Sequence, residues 1–249
     1  DLKKHLVNWL NANKISLNVD KTELVLFKPL RKTLDENVTI KLKGKIDLSS
    51  SVKYLGIRID SNLNWKEHVN TVAIKLNRAN GLLSKLRHFV NQSTLKSIYH
   101  AIFESNFNYA GIVWAQKITS SHRLFLLQKK AIRIINFSDR LAHTNPLFYN
   151  SKIIKLPDKV SIENCCFISK SLSNFLPPSF NNWFNKSSDL GILKVPSYNT
   201  TSHGRYSFKI NAIYTWNQIQ YQFKDFLLSN LKANKIKDTL TKYFLNSYY

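Results

Sequence analysis

The sequence predicts an α+β chain, with a small antiparallel sheet near the N-terminus followed by a mainly helical remainder. Two changes of pattern carry that reading. Between Glu23 and Asp60 three runs have strand character, with strict apolar/polar alternation in Val38-Thr-Ile-Lys-Leu-Lys43, whereas from Trp65 onward apolar residues recur with a period near 3.6. The 249 residues are 43% hydrophobic, which suits one large core or two modest ones and does not resemble a disordered polymer.

Residues 2 to 13 bring Leu2, Leu6, Trp9 and Leu10 onto one helical face, and Asn11 and Asn13 suit a helix end. Three runs with strand character follow: Glu23 to Lys28, Val38 to Lys43, and Val52 to Asp60 with Gly56 inside it. Pro29 and the Asp35-Glu36-Asn37 cluster separate the first two, and Gly44 with Ser49-Ser50-Ser51 separates the others. The first long helix is predicted from Trp65 to Phe89. Its buried stripe is Val69, Val72, Ala73, Leu76, Ala79, Leu83 and Leu86, with Asn62 or Asn64 as the cap. A second helix runs from about Ser93 to Phe107 through Leu95, Ile98, Tyr99, Ile102 and Phe103. A third runs from about Ser120 to Asn136 with Leu124, Leu127, Ala131, Ile134 and Ile135 inward. Beyond Phe137 the pattern loosens. His143 to Phe148 reads as irregular, Pro157-Asp158 as a turn, and Lys159 to Leu176 as a helix stopped by Pro177-Pro178. Residues 179 to 207 read as an ordered connection, and helices over Phe208 to Phe223 and Ser229 to Tyr248 close the chain.

Thirty-seven Lys and Arg against 15 Asp and Glu leave a net charge of +22, a field that attracts polyanions and points to RNA or DNA as partners. No membrane is implied, because the longest apolar stretch, Tyr109 to Ala115, falls far short of a span. The two cysteines, Cys165 and Cys166, are adjacent. A bridge between them would be strained and no C-x-x-C pair exists for zinc, so a reducing compartment and no metal are expected. The chain begins at Asp1 and holds no methionine, which suggests a piece of a longer reading frame.

Particular words in this sequence carry a family likeness. Leu10-Asn-Ala-Asn-Lys-Ile-Ser-Leu-Asn-Val-Asp-Lys-Thr-Glu-Leu-Val-Leu-Phe27, then Tyr54-Leu-Gly-Ile-Arg-Ile-Asp60 with Leu63-Asn-Trp-Lys-Glu-His68, resembles the end of the reverse transcriptase palm in LINE-type, jockey-like non-LTR retrotransposons. Later blocks extend the resemblance: Tyr109-Ala-Gly-Ile-Val-Trp114, Leu127-Gln-Lys-Lys-Ala-Ile-Arg-Ile-Ile135, His143-Thr-Asn-Pro-Leu-Phe148, Gly204-Arg-Tyr-Ser-Phe-Lys209 and Trp216-Asn217. The resemblance implies that residues 1–62 are the end of the palm, with motif D and primer-grip-like strands. Residues 63–137 would be a helical thumb-like domain and 138–249 a basic, helical C-terminal domain.

The resemblance further implies the C-terminal part of an RNA-directed DNA polymerase. Its partners would be template RNA, the template–primer duplex, target DNA and the remainder of the polymerase chain upstream. The location would be intracellular, cytoplasmic and nuclear, as a retrotransposon ribonucleoprotein. In that family an aromatic-Ala-Asp-Asp box upstream holds the metal ions of nucleotide addition. No such box occurs here, and the nearest acidic pair, Asp35-Glu36, reads as a solvated turn. The segment is therefore expected to be inert alone and to need no cofactor, Mg2+ belonging only to the full-length polymerase. A reading from a different class is a non-enzymatic nucleic-acid-binding module derived from a retrotransposon.

Candidate site residues follow. Lys21 resembles the motif D lysine, where a cation near the triphosphate could protonate or neutralise the leaving pyrophosphate. Tyr54, Leu55, Gly56 and Ile57 resemble the primer grip, where Gly permits close approach of another backbone; the plainer reading is a half-buried strand with Leu55, Ile57 and Ile59 in a core. Helical projection gathers Lys75, Arg78 and Lys85 on one arc, Arg123, Lys130 and Arg133 on another, and Lys232, Lys235 and Lys242 on a third, each suited to a phosphate backbone. The third predicted helix holds no acid at all, unlike an ordinary solvated face. Arg205 and Lys209, interleaved with Tyr198, Tyr206, Phe208 and Tyr214, suit single-strand recognition, while Trp216 suits a core. His143 lacks partner ligands and suits capping or hydrogen bonding rather than a metal. Together these cations are expected to form a continuous positive groove beside the strands.

Overall fold

In a computed structural model, which describes residues 2–27, 40–41, 45–46, 48–187, 191–200, 204–223 and 232–249, the alternating N-terminal region folds into two short antiparallel hairpins and the rest is almost wholly helical. The chain divides into two units, Asp1–Glu67 and His68–Tyr249.

In the first unit α1 (Leu2–Ala12) ends as the asparagines suggest, with the Asn13 side-chain amide donating to the Trp9 carbonyl at 2.8 Å. Its apolar face stays uncovered, Trp9 being 58% exposed. The strand expected from Glu23 to Lys28 shrinks to one parallel bridge between Leu24 and Leu48, and Lys28 lies outside the described residues. From the alternating run Val38 to Lys43 the structure describes β1 (Ile40–Lys41), paired with β2 (Lys45–Ile46); Val38, Thr39, Leu42 and Lys43 lie outside the described residues, as do Asp35 and Glu36.

Val52 to Asp60 is not one strand. β3 (Ser51–Tyr54) and β4 (Ile57–Asp60) pair antiparallel, with Tyr54 opposite Ile57 and a turn at Leu55-Gly56. Both turn residues have positive φ, 46° and 82°, as a two-residue hairpin loop of the right-handed-twist type requires. Gly supplies that conformation readily, but Leu in place of the usual Asn concealed the turn. Leu55 accordingly fills no core and is 70% exposed at the tip. At the far end of β4 the buried Asp60 carboxylate accepts from the backbone N–H of Asn62 (3.1 Å), Asn64 (3.0 Å) and Trp65 (2.8 Å). Those bonds hold Leu63 and Trp65 at positive φ and launch α2 (Lys66–Leu86), whose first N–H donates to Asn64 Oδ1 at 2.9 Å.

In the second unit α2 buries the predicted stripe from Val69 to Leu83, and Asn80 donates from its buried amide to the Leu127 carbonyl of α6 (Ile118–Ile135) at 3.0 Å. The second predicted helix is continuous but composite: α3 (Gln92–Ile98), a π segment (Tyr99–Glu104) and α4 (Ser105–Asn108), capped by Asn91 accepting from the Thr94 N–H. Leu95, Tyr99, Phe103 and Phe107, each four apart, are all buried. In a regular α-helix such a row drifts by about 40° per step, and the wider π turn brings it back in line. After the single turn α5 (Gly111–Trp114), α6 inserts the fully buried Gln128. Its amide donates to Tyr99 Oη and to the Ile154 carbonyl, both at 2.9 Å, and its carbonyl oxygen accepts from the Leu156 N–H at 2.8 Å. A buried amide satisfied at every step joins three elements; left unpaired it would cost about 1–3 kcal/mol.

Two expectations fail beyond Phe137. Thr144–Ser151 is a helix, α7, and Pro157-Asp158 is not a turn but the opening of α8 (Leu156–Leu172), which stops short of Leu176. Both prolines sit in the first helical turn, where no N–H partner is lost, so they start these helices rather than break them. α8 packs against α6, α9 (Phe208–Phe223) and α10 (Ala233–Asn246), so helices on both sides of residue 137 share the second unit. The core at its C-terminal end centres on Trp216, fully buried, which donates to the Gly191 carbonyl at 3.1 Å. The neighbouring Asn217 brackets Leu193, accepting from its N–H at 2.8 Å and donating to its carbonyl at 2.9 Å. No helix among the described residues is long and apolar enough to cross a membrane.

Candidate nucleic-acid interface

Between the C-terminal ends of α2 and α6 opens a cleft of about 590 Å³, lined by Ser84, Arg87, Lys130, Arg133, Ile134, Ser138 and Arg140. Four of those seven residues are cations and none is acidic. Asp139 lies between two of them in sequence but is not part of the lining, and among the described residues none of the four cations forms an ion pair. Lys130 and Arg140 are exposed, whereas Arg87 and Arg133 are half-buried. Among the described residues Arg133 donates from Nε to the Ala142 carbonyl at 2.9 Å, one of its five N–H donors. Arg87 lies over the Phe137 ring, 5.6 Å from its centre.

The end of α6 builds one wall. Ser138 N–H donates to the Arg133 carbonyl (3.0 Å) and Phe137 N–H to the Ile134 carbonyl (3.2 Å), the paired bonds of a Schellman termination. Such a termination needs one left-handed residue, and here Phe137 takes it at φ 52°. Just before it, Asn136 is fastened on two sides: its amide donates to Ser151 Oγ at 2.8 Å and its carbonyl oxygen accepts from Gln92 Nε2 at 2.9 Å. The loop from Phe137 to Arg140 therefore leaves from a fixed point.

The structure brings Lys130 and Arg133 together in this cleft and leaves the other predicted cations elsewhere. Arg123, on the same arc of α6, donates to Asn70 Oδ1 at 2.8 Å and does not line the cleft. Lys75, Arg78 and Lys85 are exposed on α2 but absent from the lining. Burying the α2 stripe turns Arg78 and Lys85 roughly to the opposite side of that helix. Arg205 donates to Asn211 Oδ1 (3.2 Å) and lies 4.1 Å over the Tyr214 ring, and Lys209 lies 5.7 Å over Trp183. Lys232 precedes α10, with Lys235 and Lys242 exposed along it. Lys21 is exposed in the short turn Val19–Lys21, its backbone N–H donating to Asn18 Oδ1 at 3.2 Å. Tyr54, Leu55, Gly56 and Ile57 form the tip of the second hairpin, Tyr54 being 62% exposed.

Arg87 and Arg140 are the cleft residues that sequence reasoning did not select. Arg87 follows the last turn of α2 and Arg140 sits in a loop, so neither shares a helical arc with Lys130 and Arg133; only tertiary packing collects them. His143 occupies the position before α7 but makes no side-chain capping bond. Among the described residues no group of three or more His, Cys, Asp or Glu side chains gathers to hold a metal. Both thiols are free and burial pushes them up, Cys166 to about 11 and Cys165 further, so both stay protonated at neutral pH and are poor nucleophiles. No family model, no curated protein and no solved structure matches this chain.

Proposed function

We propose that the chain is the C-terminal part of a LINE-type, non-LTR retrotransposon reverse transcriptase, and that its helical unit grips polynucleotide phosphates in the cleft between α2 and α6. The observation that carries this reading is the cleft itself: Arg87, Lys130, Arg133 and Arg140 converge with no acidic side chain in the lining. A concentration of unpaired positive charge is stabilised by a polyanion, and the net charge of +22 adds long-range attraction. The block Leu127 to Ile135, one of those that resemble the family, supplies two of the four cations. Exposure of Trp9, Phe27, Tyr54 and Leu55 in the first unit is what a portion of a larger palm would present. On this reading Mg2+ and the catalytic aspartates belong to the polymerase upstream, this chain adds no nucleotides by itself, and it works in cytoplasm and nucleus on RNA and DNA.

The test is binding of RNA and DNA by fluorescence anisotropy across a salt series. Salt-sensitive binding with little sequence preference is expected, falling at least tenfold in Lys130→Glu/Arg140→Glu, whose exposed positions spare the fold. Binding unaffected by that double charge reversal refutes the reading.

A further inference from the structure

The polymerase reading would suit a duplex, but the chemistry beside the cleft suits a different substrate. We propose that the cleft takes an unpaired strand, with one base lying against the Phe137 ring while neighbouring phosphates reach Arg87, Lys130, Arg133 and Arg140. This rests on the cleft being a phosphate site.

Phe137, three residues after the lining residue Ile134 and directly before the lining residue Ser138, stands beside the cleft rather than in its lining and is 46% exposed. It occupies the left-handed position of the α6 termination, where Gly or Asn is the comfortable residue and a bulky aromatic is not. Packing accounts for only part of it, since nearly half of the residue is exposed. Its recorded ring contact is the Arg87 guanidinium, so a cation of the cleft and an aromatic face stand side by side. Leu141, next to Arg140 in sequence, is 91% exposed. Cations tracking phosphates beside an exposed ring are the elements of single-strand recognition, in which each base stacked on an aromatic contributes about 5- to 150-fold in affinity.

The distribution of charge argues the same way. A duplex engages protein across roughly 600–2,500 Å² and is held by cations spread along it. Of the neighbouring cations, Arg123 is tied to Asn70, and Lys75, Arg78 and Lys85 stand exposed on α2 outside the cleft. The cleft itself is a concavity of about 590 Å³, within the range of pockets that enclose a small ligand. Bases inside a duplex keep their faces stacked on one another, whereas an unpaired base offers its face to Phe137.

The experiment measures anisotropy of one short mixed-sequence oligonucleotide as RNA, as DNA, and as the blunt duplex, with the intact chain. The parent is expected to bind at least one single strand more tightly than the duplex, and the tighter of RNA and DNA identifies the sugar. Phe137→Gly, which suits the left-handed backbone, and Phe137→Leu, which keeps apolar bulk without a ring, should each weaken the single strand at least fivefold while changing duplex binding less than twofold. Phe137→Trp should restore it. If both ring-less variants bind the single strand like the parent while Lys130→Glu/Arg140→Glu does not, the phosphate site stands and the base site falls. If the charge reversal has no effect either, both fall.

Discussion

Counting released ions discriminates the cleft from the chain's general positive charge. When a protein neutralises phosphates on a single strand, log K falls against log salt with a slope of about −0.7 per phosphate. Four cleft cations, each on one phosphate, give a slope of about −2.8, which is roughly a 50-fold loss of affinity between about 50 and 200 mM salt. Replacing Lys130 and Arg140 by Ala halves the slope to about −1.4 and the loss to roughly sevenfold. Both side chains are exposed, so stability should stay within about 0.5 kcal/mol of the parent and the comparison is not confounded by unfolding. Removing Lys75, Arg78 and Lys85 together deletes more charge than the cleft pair does, yet should leave the slope nearly unchanged, because those residues do not line the cleft. The assay is a salt titration of labelled oligonucleotide for the three proteins. A slope that falls more in the α2 triple variant than in the cleft pair would refute the argument, since binding would then follow net charge rather than place.

Three further outcomes are expected. Gly204→Ala should destabilise by about 1–3 kcal/mol in chemical denaturation, because a Cβ there would come within 2.7 Å of Tyr198 Cβ; an unchanged midpoint would mean that Tyr198 yields freely. Asn217→Ala should cost about 1–3 kcal/mol by leaving the N–H and carbonyl of the buried Leu193 unpaired, and Asn217→Asp should recover only the bond to the N–H. His68, buried against the edge of Trp114 at 5.0 Å, is held below its usual pKa of 6.5 by burial and then by the Lys75 charge. The unfolded chain takes up that proton first, so stability should fall as pH drops through about 6.5, by at most about 1.4 kcal/mol per pH unit, and stay level above it. Thermal melts of the parent and His68→Gln between about pH 5 and 7.5 check this, an equal decline in both being the contrary result.

The helices of the second unit were legible where their buried stripe is unbroken. Val69 to Leu83 and Leu124 to Ile135 repeat at helical spacing without interruption, and burial followed that spacing. Local rules failed where one residue type has two uses. Proline both ends helices and opens them, so Pro157 reads as a turn and the stretch around Pro146 as irregular, although each proline lies in a first turn. Gly56 marks either a strand interior or a hairpin turn, and the neighbouring Leu55 hid the second possibility. The π segment is another such case, because a row of apolar residues four apart does not say how the backbone keeps them aligned.

The sequence alone determined the abundance of positive charge, the helical content after Trp65 and the identity of the buried stripes, because these depend on composition and on periodicities within one element. Only the tertiary structure decided which cations meet. Arg87 leaves one helix, Lys130 and Arg133 belong to another, and Arg140 lies in a loop, so their convergence depends on how α2 docks on α6 and how Asn136 anchors the turn at Phe137. Spacing along a chain fixes neighbours on one helix; the angle at which two helices bury their stripes fixes neighbours between them, and that angle is a property of the packed core.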